Sequence, residues 1–250
     1  VAWYDYRMRR LLSVILALAA TVGLSGCTMR MAQPEDADVV VSIPPGASLP
    51  PSADAELASR LEAGDEPAVR GLADAAWVAS IAAATSIPTR ALEAYAGTAV
   101  LLAAEEPDCR VDWATLAGIG YVESRHGTID GGELQENGRP TEPIYGPLLD
   151  GIAYDEVADN DGGALDGNAE FDRAMGPMQF IPTTWIAWHA GGSDPQNVDD
   201  AVLAAARYLC YSGDDLGTTD GWNAAIDAYN PAGSYAGLVA EAASRYAAAA

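Results

Sequence analysis

The chain has 250 residues, 50% of them apolar and 20% charged, and its 36 Asp and Glu against 13 Lys and Arg leave a net charge of -23. That length and apolar content support one substantial hydrophobic core. They also exclude a binder of phosphate backbones, because counterion release needs a basic stripe and no basic cluster follows Arg10.

In the N-terminal stretch, Arg7, Arg9 and Arg10 precede an apolar run over 11–24 that ends in Leu24-Ser25-Gly26-Cys27. The pattern is that of an export signal over 1–26, with Met8 a better start than the residues before it. The run is shorter than the about 20 apolar residues that a membrane-spanning helix needs. Its Leu-Ser-Gly-Cys end resembles a bacterial lipobox, which makes Cys27 the lipidated first residue of the mature chain. The expected location is then the outer face of the cell membrane, within the cell wall; an ordinary signal followed by an unrelated Cys is the alternative. Three cysteines are present, so a lipidated Cys27 leaves Cys109 and Cys210 as a disulfide pair in an oxidising compartment. Residues 1–26 carry a net +2 from Arg7, Arg9 and Arg10 against Asp5, which leaves -25 on the remainder.

Residues 27–66 hold Pro34, Pro44, Pro45, Pro50 and Pro51 with few large apolar side chains, and read as an extended tether. From 67 to 250 the pattern is that of one Ala-rich, mainly α domain without internal repeats. Pro88 opens a helix over 88–106, closed before Pro107. Asp112 caps the next, with Trp113, Leu116 and Gly120 at helical spacing and Gly127 as its stop. Pro182 opens a short helix ended by Gly191 and Gly192, and Asn197 caps one that reaches Cys210. Two more follow, over 219–229, stopped by Asn230-Pro231, and over 234–248. The Gly- and Asp-rich segment 127–172 has no clear period, and a loop of that length in a compact domain suits a flap that shapes or covers a groove.

Glu123 lies three residues after Gly120, four after Ile119 and seven after Leu116, on the stripe of its helix that faces the core. A carboxyl there is partly desolvated, which disfavours its ionised form and prepares it to hold a proton near neutral pH. The plainer reading is a Glu at a fraying helix end, paired with Arg125 or left in water. The company of Glu123 bears on the choice, in the order Glu123-Ser124, Gly176-Pro177-Met178-Gln179-Phe180 and Ala228-Tyr229-Asn230.

In that order these motifs resemble the lytic transglycosylases, and the membrane-bound lytic murein transglycosylase B family most closely. Ile87-Pro88 with its helix, Glu123 to Gly127 read as Glu-Ser-Arg-His-Gly, the Gly-Pro-Met-Gln-Phe-Ile-Pro run and the C-terminal Tyr-Asn all fall in sequence over about 77–246. The resemblance implies a lysozyme-like fold over 67–250, with a groove for the alternating N-acetylglucosamine and N-acetylmuramic acid of peptidoglycan glycan strands. It makes Glu123 the catalytic acid/base and Ser124 the residue that orients it. Gly176, Met178, Gln179, Phe180 and Tyr229 then line the cleavage subsite, and Asn230 holds the Tyr loop or the sugar. No cofactor is implied, and a monomer is expected. Plainer readings stand beside each role: Gly176-Pro177 as a turn, Phe180, Trp185 and Trp188 as core, Tyr229 as a core tyrosine at helical spacing from Trp222 and Ile226, and His126 as a complement to a helix C-terminus.

Some members of that family carry an EF-hand-like calcium loop after the Gln-Phe motif. Residues 191–200 have no Asp-x-Asp-x-Asp-Gly run, so no metal is expected there. In the preceding loop Asp159, Asp161 and Asp166 fall short of the EF-hand pattern because its fifth position is Gly163, and a solvated acidic loop is expected instead.

Glycosidases normally employ two carboxylates, whereas this pattern supplies one. Attack by the muramic acid's own C6 hydroxyl removes the need for the second, since intramolecular attack reaches effective molarities of about 10⁵ M. The alternatives are a hydrolytic muramidase on the same fold, with Asp150, Asp172 or Asp227 as the second carboxylate, and a non-catalytic wall-binding lipoprotein.

Overall fold

The structure is a computed structural model that describes residues 41–44 and 46–250. Lipidation at Cys27 and the export signal lie outside the described residues. In chain order the helices are α1 (Leu57–Glu62), α2 (Ala75–Thr85), α3 (Thr89–Glu105), α4 (Trp113–Ser124), α5 (Pro182–Trp188), α6 (Val198–Gly213), α7 (Thr219–Tyr229) and α8 (Tyr235–Ala247). Side chains start four of them by accepting an otherwise unpaired backbone N–H: Asp74 from Trp77, Asp112 from Thr115, Asn197 from Asp199 and Thr218 from Gly221. Pro88 and Pro182 preset the entry to α3 and α5. The chain is therefore mainly helical, as its caps and apolar periods predict.

Helix α4 is the axis of the core. Trp113, Leu116, Ala117 and Ile119 are all buried, and so are the polar Thr115 and Ser124, so no face of its length up to Gly120 is given to water. Helices α3 and α8 pack along it, and α6 joins α3 to α7. Trp222 of α7 is buried and donates its indole N–H to Thr115 Oγ1 at 3.2 Å, which satisfies a hydroxyl inside the core.

Three features differ from the sequence expectation. Residues 41–66 do not stand off as a tether: Val41, Ile43, Ala47 and Leu61 pack on the core, Leu57 of α1 enters it, and Asn223 holds both backbone groups of Val41 at 3.1 and 2.8 Å. Helix α2 lies in the Ala-rich stretch before Pro88, where no contrasting face marks a separate helix in the sequence. The segment 127–172 contains a strand, β1 (Tyr145–Leu148), paired antiparallel with β2 (Arg173–Met175) in the register Tyr145 to Met175 and Leu148 to Arg173. That ribbon ties the flap to the motif that starts at Gly176. Among the described residues no helix is long and apolar enough to cross a membrane.

Cys109 and Cys210 form a disulfide that joins the approach to α4 with α6 across 101 positions, as cysteine parity predicts. Closing a loop of that length restricts the unfolded chain, a contribution of about 2–5 kcal/mol. A Cys109→Ala/Cys210→Ala double variant is therefore expected to lose about 2–5 kcal/mol in urea unfolding monitored by circular dichroism. An unchanged midpoint at unchanged slope would contradict that role.

Candidate active site

Glu123 occupies the last turn of α4, where the buried helix reaches the surface, and is itself half-buried. Burial pushes its carboxyl up to about 7, while a hydrogen bond from the Tyr235 hydroxyl to Oε1, 2.5 Å long, acts in the opposite direction. Tyr235 opens α8 and lies nearly parallel to Tyr229, with ring centroids 6.4 Å apart. Both phenols are pushed well above their ordinary range, first by burial and then by the Glu123 charge, so both remain neutral donors. Tyr235 is the partner that sequence reading missed. It lies 112 positions from Glu123, and its spacing on α8 with Val239 and Ala242 marks only a core position.

The end of α4 is set by strain. Arg125, His126 and Gly127 take successive left-handed conformations, with φ of 54°, 64° and 79°, so the stop comes two residues earlier than Gly127 alone predicts. Two of these are not glycine, and such positions persist only where the surroundings over-determine them. The surroundings here are His126, buried with Nδ1 at 3.1 Å from the Tyr95 hydroxyl and Nε2 at 2.9 Å from that of Tyr246. Burial, then Arg125 and Arg245, pull the imidazole down to about 3, so it stays neutral and serves as an anchor rather than a proton carrier. Arg125 does not pair with Glu123; its guanidinium lies 4.1 Å from the centroid of the Tyr121 ring.

The second motif is a tight turn. Met175 and Phe180 exchange backbone hydrogen bonds of 2.9 and 3.0 Å, and Gly176 to Gln179 bridge them. Gly176 has φ of 72°, and a Cβ there would collide with the Pro195 carbonyl, so glycine is required on two counts. Ser124 donates to the Pro177 carbonyl at 2.6 Å and accepts from the Gly127 N–H at 2.7 Å, and Tyr229 donates to the Met178 carbonyl at 2.7 Å. The turn is thereby tied to the ends of α4 and α7. Gln179 sits on it with φ of 50° and its Nε2 donating to the Gly176 carbonyl at 2.8 Å.

Several expected roles change with this geometry. The Ser124 hydroxyl is committed to the Pro177 carbonyl and the Gly127 N–H and not to the Glu123 carboxyl; it joins the helix end to the turn. Met178 and Phe180 are 0% and 3% exposed, so their side chains belong to the core and only the Met178 backbone serves the site. The Tyr229 hydroxyl is committed to that backbone, and the tyrosine on the carboxyl is Tyr235. Asn230 caps α7 and accepts from the Ala232 N–H at 3.0 Å, which holds the loop between the two tyrosines. Trp185 is core, 1% exposed, and Trp188 packs partly against the core.

The rival carboxylates have hydrogen-bond partners of their own or face water. Asp172 is fully buried and accepts from Asn160 Nδ2 at 2.5 Å; burial first, then Asp166, push it upward. Asp150 accepts from the Ile152 N–H at 3.0 Å, and Asp227 is exposed on α7. The acidic loop is not simply solvated: Asp159 and Asp161 accept backbone N–H groups from 161–165, and Asp166 is buried against the N–H groups of Asn168 and Arg173. Among the described residues no three His, Cys, Asp or Glu side chains are grouped to hold a metal ion. A cavity of about 220 Å³ lies at the opposite end of α4 from Glu123, lined by Ala47, Pro50, Leu102, Pro107 and Trp113. Comparison of the chain with protein-family models, with curated proteins and with solved structures finds no match.

The raised Glu123 pKa has a consequence for stability. The folded state holds the proton up to about 7, whereas the unfolded carboxyl releases it near 4.5, so this group's contribution to stability falls as pH rises through that window. Glu123→Gln removes the fall. Its melting temperature relative to wild type is expected to be higher at pH 8 than at pH 4, and a difference independent of pH would contradict the shift.

Proposed function

We propose that the protein is a lytic transglycosylase that cleaves the β-1,4 bond between N-acetylmuramic acid and N-acetylglucosamine in peptidoglycan, without water, and leaves 1,6-anhydromuramic ends. One observation carries the reading: a half-buried carboxyl with a pKa of about 7 at the end of a buried helix, held by a tyrosine hydroxyl and adjoining the turn that presents Gln179. The order of the Glu-Ser, Gly-Pro-Met-Gln-Phe and Tyr-Asn motifs supports it, and so does the mainly helical chain, for which we propose the lysozyme-like fold.

In this mechanism Glu123 begins protonated. It gives its proton to the glycosidic oxygen as the bond to C1 breaks, and the ionised carboxylate then takes the proton of the C6 hydroxyl as that oxygen bonds to C1. Tyr235 donates to Oε1 throughout, which leaves Oε2 for the travelling proton. A pKa near neutrality suits both halves, since the group must release and recover one proton at the working pH, and such catalysis is worth about 10²–10⁴ in rate. Burial raises the Glu123 carboxyl and the Tyr235 hydrogen bond lowers it, which keeps it near the working pH. Gln179 can donate to and accept from an acetamido group. The proposed setting is a monomer anchored to the outer face of the cell membrane through a lipid on Cys27, with glycan strands as its partner.

Purified sacculi digested by the protein are expected to give muropeptides lighter by one water than reducing ends and inert to borohydride; borohydride-reactive ends would install the muramidase instead. Glu123→Gln is expected to lower the rate at least about 10²-fold with the fold intact. The rate should also decline as pH rises past about 7, where the acid is lost. Because the Tyr235 hydrogen bond favours the ionised form, Tyr235→Phe should move that alkaline limb upward by about one to two pH units. A limb that stays in place or moves down would count against the assignment.

A further inference from the structure

We infer that Gln196 is a positioning residue that sets the Gln179 amide for the sugar, an inference that rests on the glycan-cleavage reading above. Gln196 is 5% exposed and belongs to none of the three motifs. Its carboxamide engages both backbone groups of one residue in the flap: Oε1 accepts from the Ile144 N–H and Nε2 donates to the Ile144 carbonyl, each at 2.9 Å. The same carbonyl accepts from the Gly176 N–H at 2.9 Å, and the preceding Pro195 carbonyl is the group that fits against Gly176. Three segments, 144–146, 176–179 and 195–196, therefore meet at one amide. Two residues on from Ile144, within β1, a Cβ on Gly146 would stand 3.0 Å from Gln179 Oε1. The spacing that Gln196 fixes is the spacing between β1 and the Gln179 side chain. Ser124 and Tyr229 hold the turn from the side of the acid; Gln196 holds it from the side of the flap.

A primary amide of this length supplies a donor and an acceptor at once to a peptide group at any pH. Glutamic acid mimics it when protonated and fails when ionised, because a carboxylate has no proton for the Ile144 carbonyl. The charged groups around it are Asp194, which accepts the Gln196 N–H at 2.9 Å and pairs with Arg139, and Asp200, which accepts the Asp194 N–H at 2.9 Å. Asp194 is offset by Arg139, so it is the burial of this position that opposes ionisation of a carboxyl placed there.

The test uses soluble uncrosslinked glycan strands and steady-state kinetics at pH 5 and pH 8, with thermal melts to show that each variant is folded. Gln196→Ala is expected to raise KM about tenfold with kcat within about threefold, since Gln179 contributes binding shared by ground and transition states. Gln196→Glu should keep a KM near wild type at pH 5 and lose it at pH 8 relative to wild type at the same pH, a dependence that loss of packing alone would not produce. Gly146→Ala, which reaches Gln179 directly, should also raise KM, and the pH dependence of Gln196→Glu decides the matter if Gln196→Ala does not fold. An active wild type with unchanged KM in the folded Gln196 variants, or a Gln196→Glu defect equal at both pH values, overturns the inference alone. A wild type that releases no glycan fragments removes the glycan-cleavage reading and this inference with it.

Discussion

A helix with no polar face over most of its length ends on an ionisable carboxyl, and the rest of the site follows from that constraint. Helix α4 is buried from Trp113 to Gly120, so Glu123 leaves the core only at its last turn and keeps part of the core's low dielectric around it. An acid in such a place holds its proton near neutrality. The neighbours do not cancel the effect: Tyr235 stabilises the ionised form through one hydrogen bond, and Arg125, the nearest cation in sequence, faces the Tyr121 ring instead. The molecule keeps the carboxyl poised, rather than neutralising it with a salt bridge.

Holding that end of the helix in place requires strain and anchors. Arg125 and His126 adopt left-handed backbone, and the neutral His126 imidazole between Tyr95 and Tyr246 fixes them. The same turn frees Ser124 to reach the Pro177 carbonyl, so the conformation that ends α4 also docks the Gly176 turn. The strongly acidic composition does not intrude, because Asp159, Asp161 and Asp166 are satisfied by backbone N–H groups within their own loop.

Much of this was legible in the sequence where the signal is local. The caps Asp112 and Asn197, the prolines at 88 and 182 and the stop at Asn230 place five helices within a few residues, and cysteine parity gives the disulfide. The apolar spacing of Leu116, Ile119 and Gly120 places Glu123 against the core. What was not legible depends on contacts between distant segments. Tyr235 reaches Glu123 across 112 positions, and Gln196 reads the backbone of Ile144, a contact that leaves no side-chain pattern. Ala-rich α2 has no contrasting face to mark it, and the prolines at 44, 50 and 51 suggest an extended chain without revealing that the apolar residues among them pack on the core. Met178 and Phe180 show the opposite error, because the motif marks a site while their side chains face away from it.

The central claim is that the Glu123 carboxyl of the free protein titrates near neutrality and not in the ordinary glutamate range. Carboxyl-carbon NMR of selectively labelled protein, with Glu123→Gln to assign the resonance, measures this directly. A titration midpoint near 7 is expected for that one glutamate. A midpoint in the ordinary range, about 4 to 4.5, would contradict it.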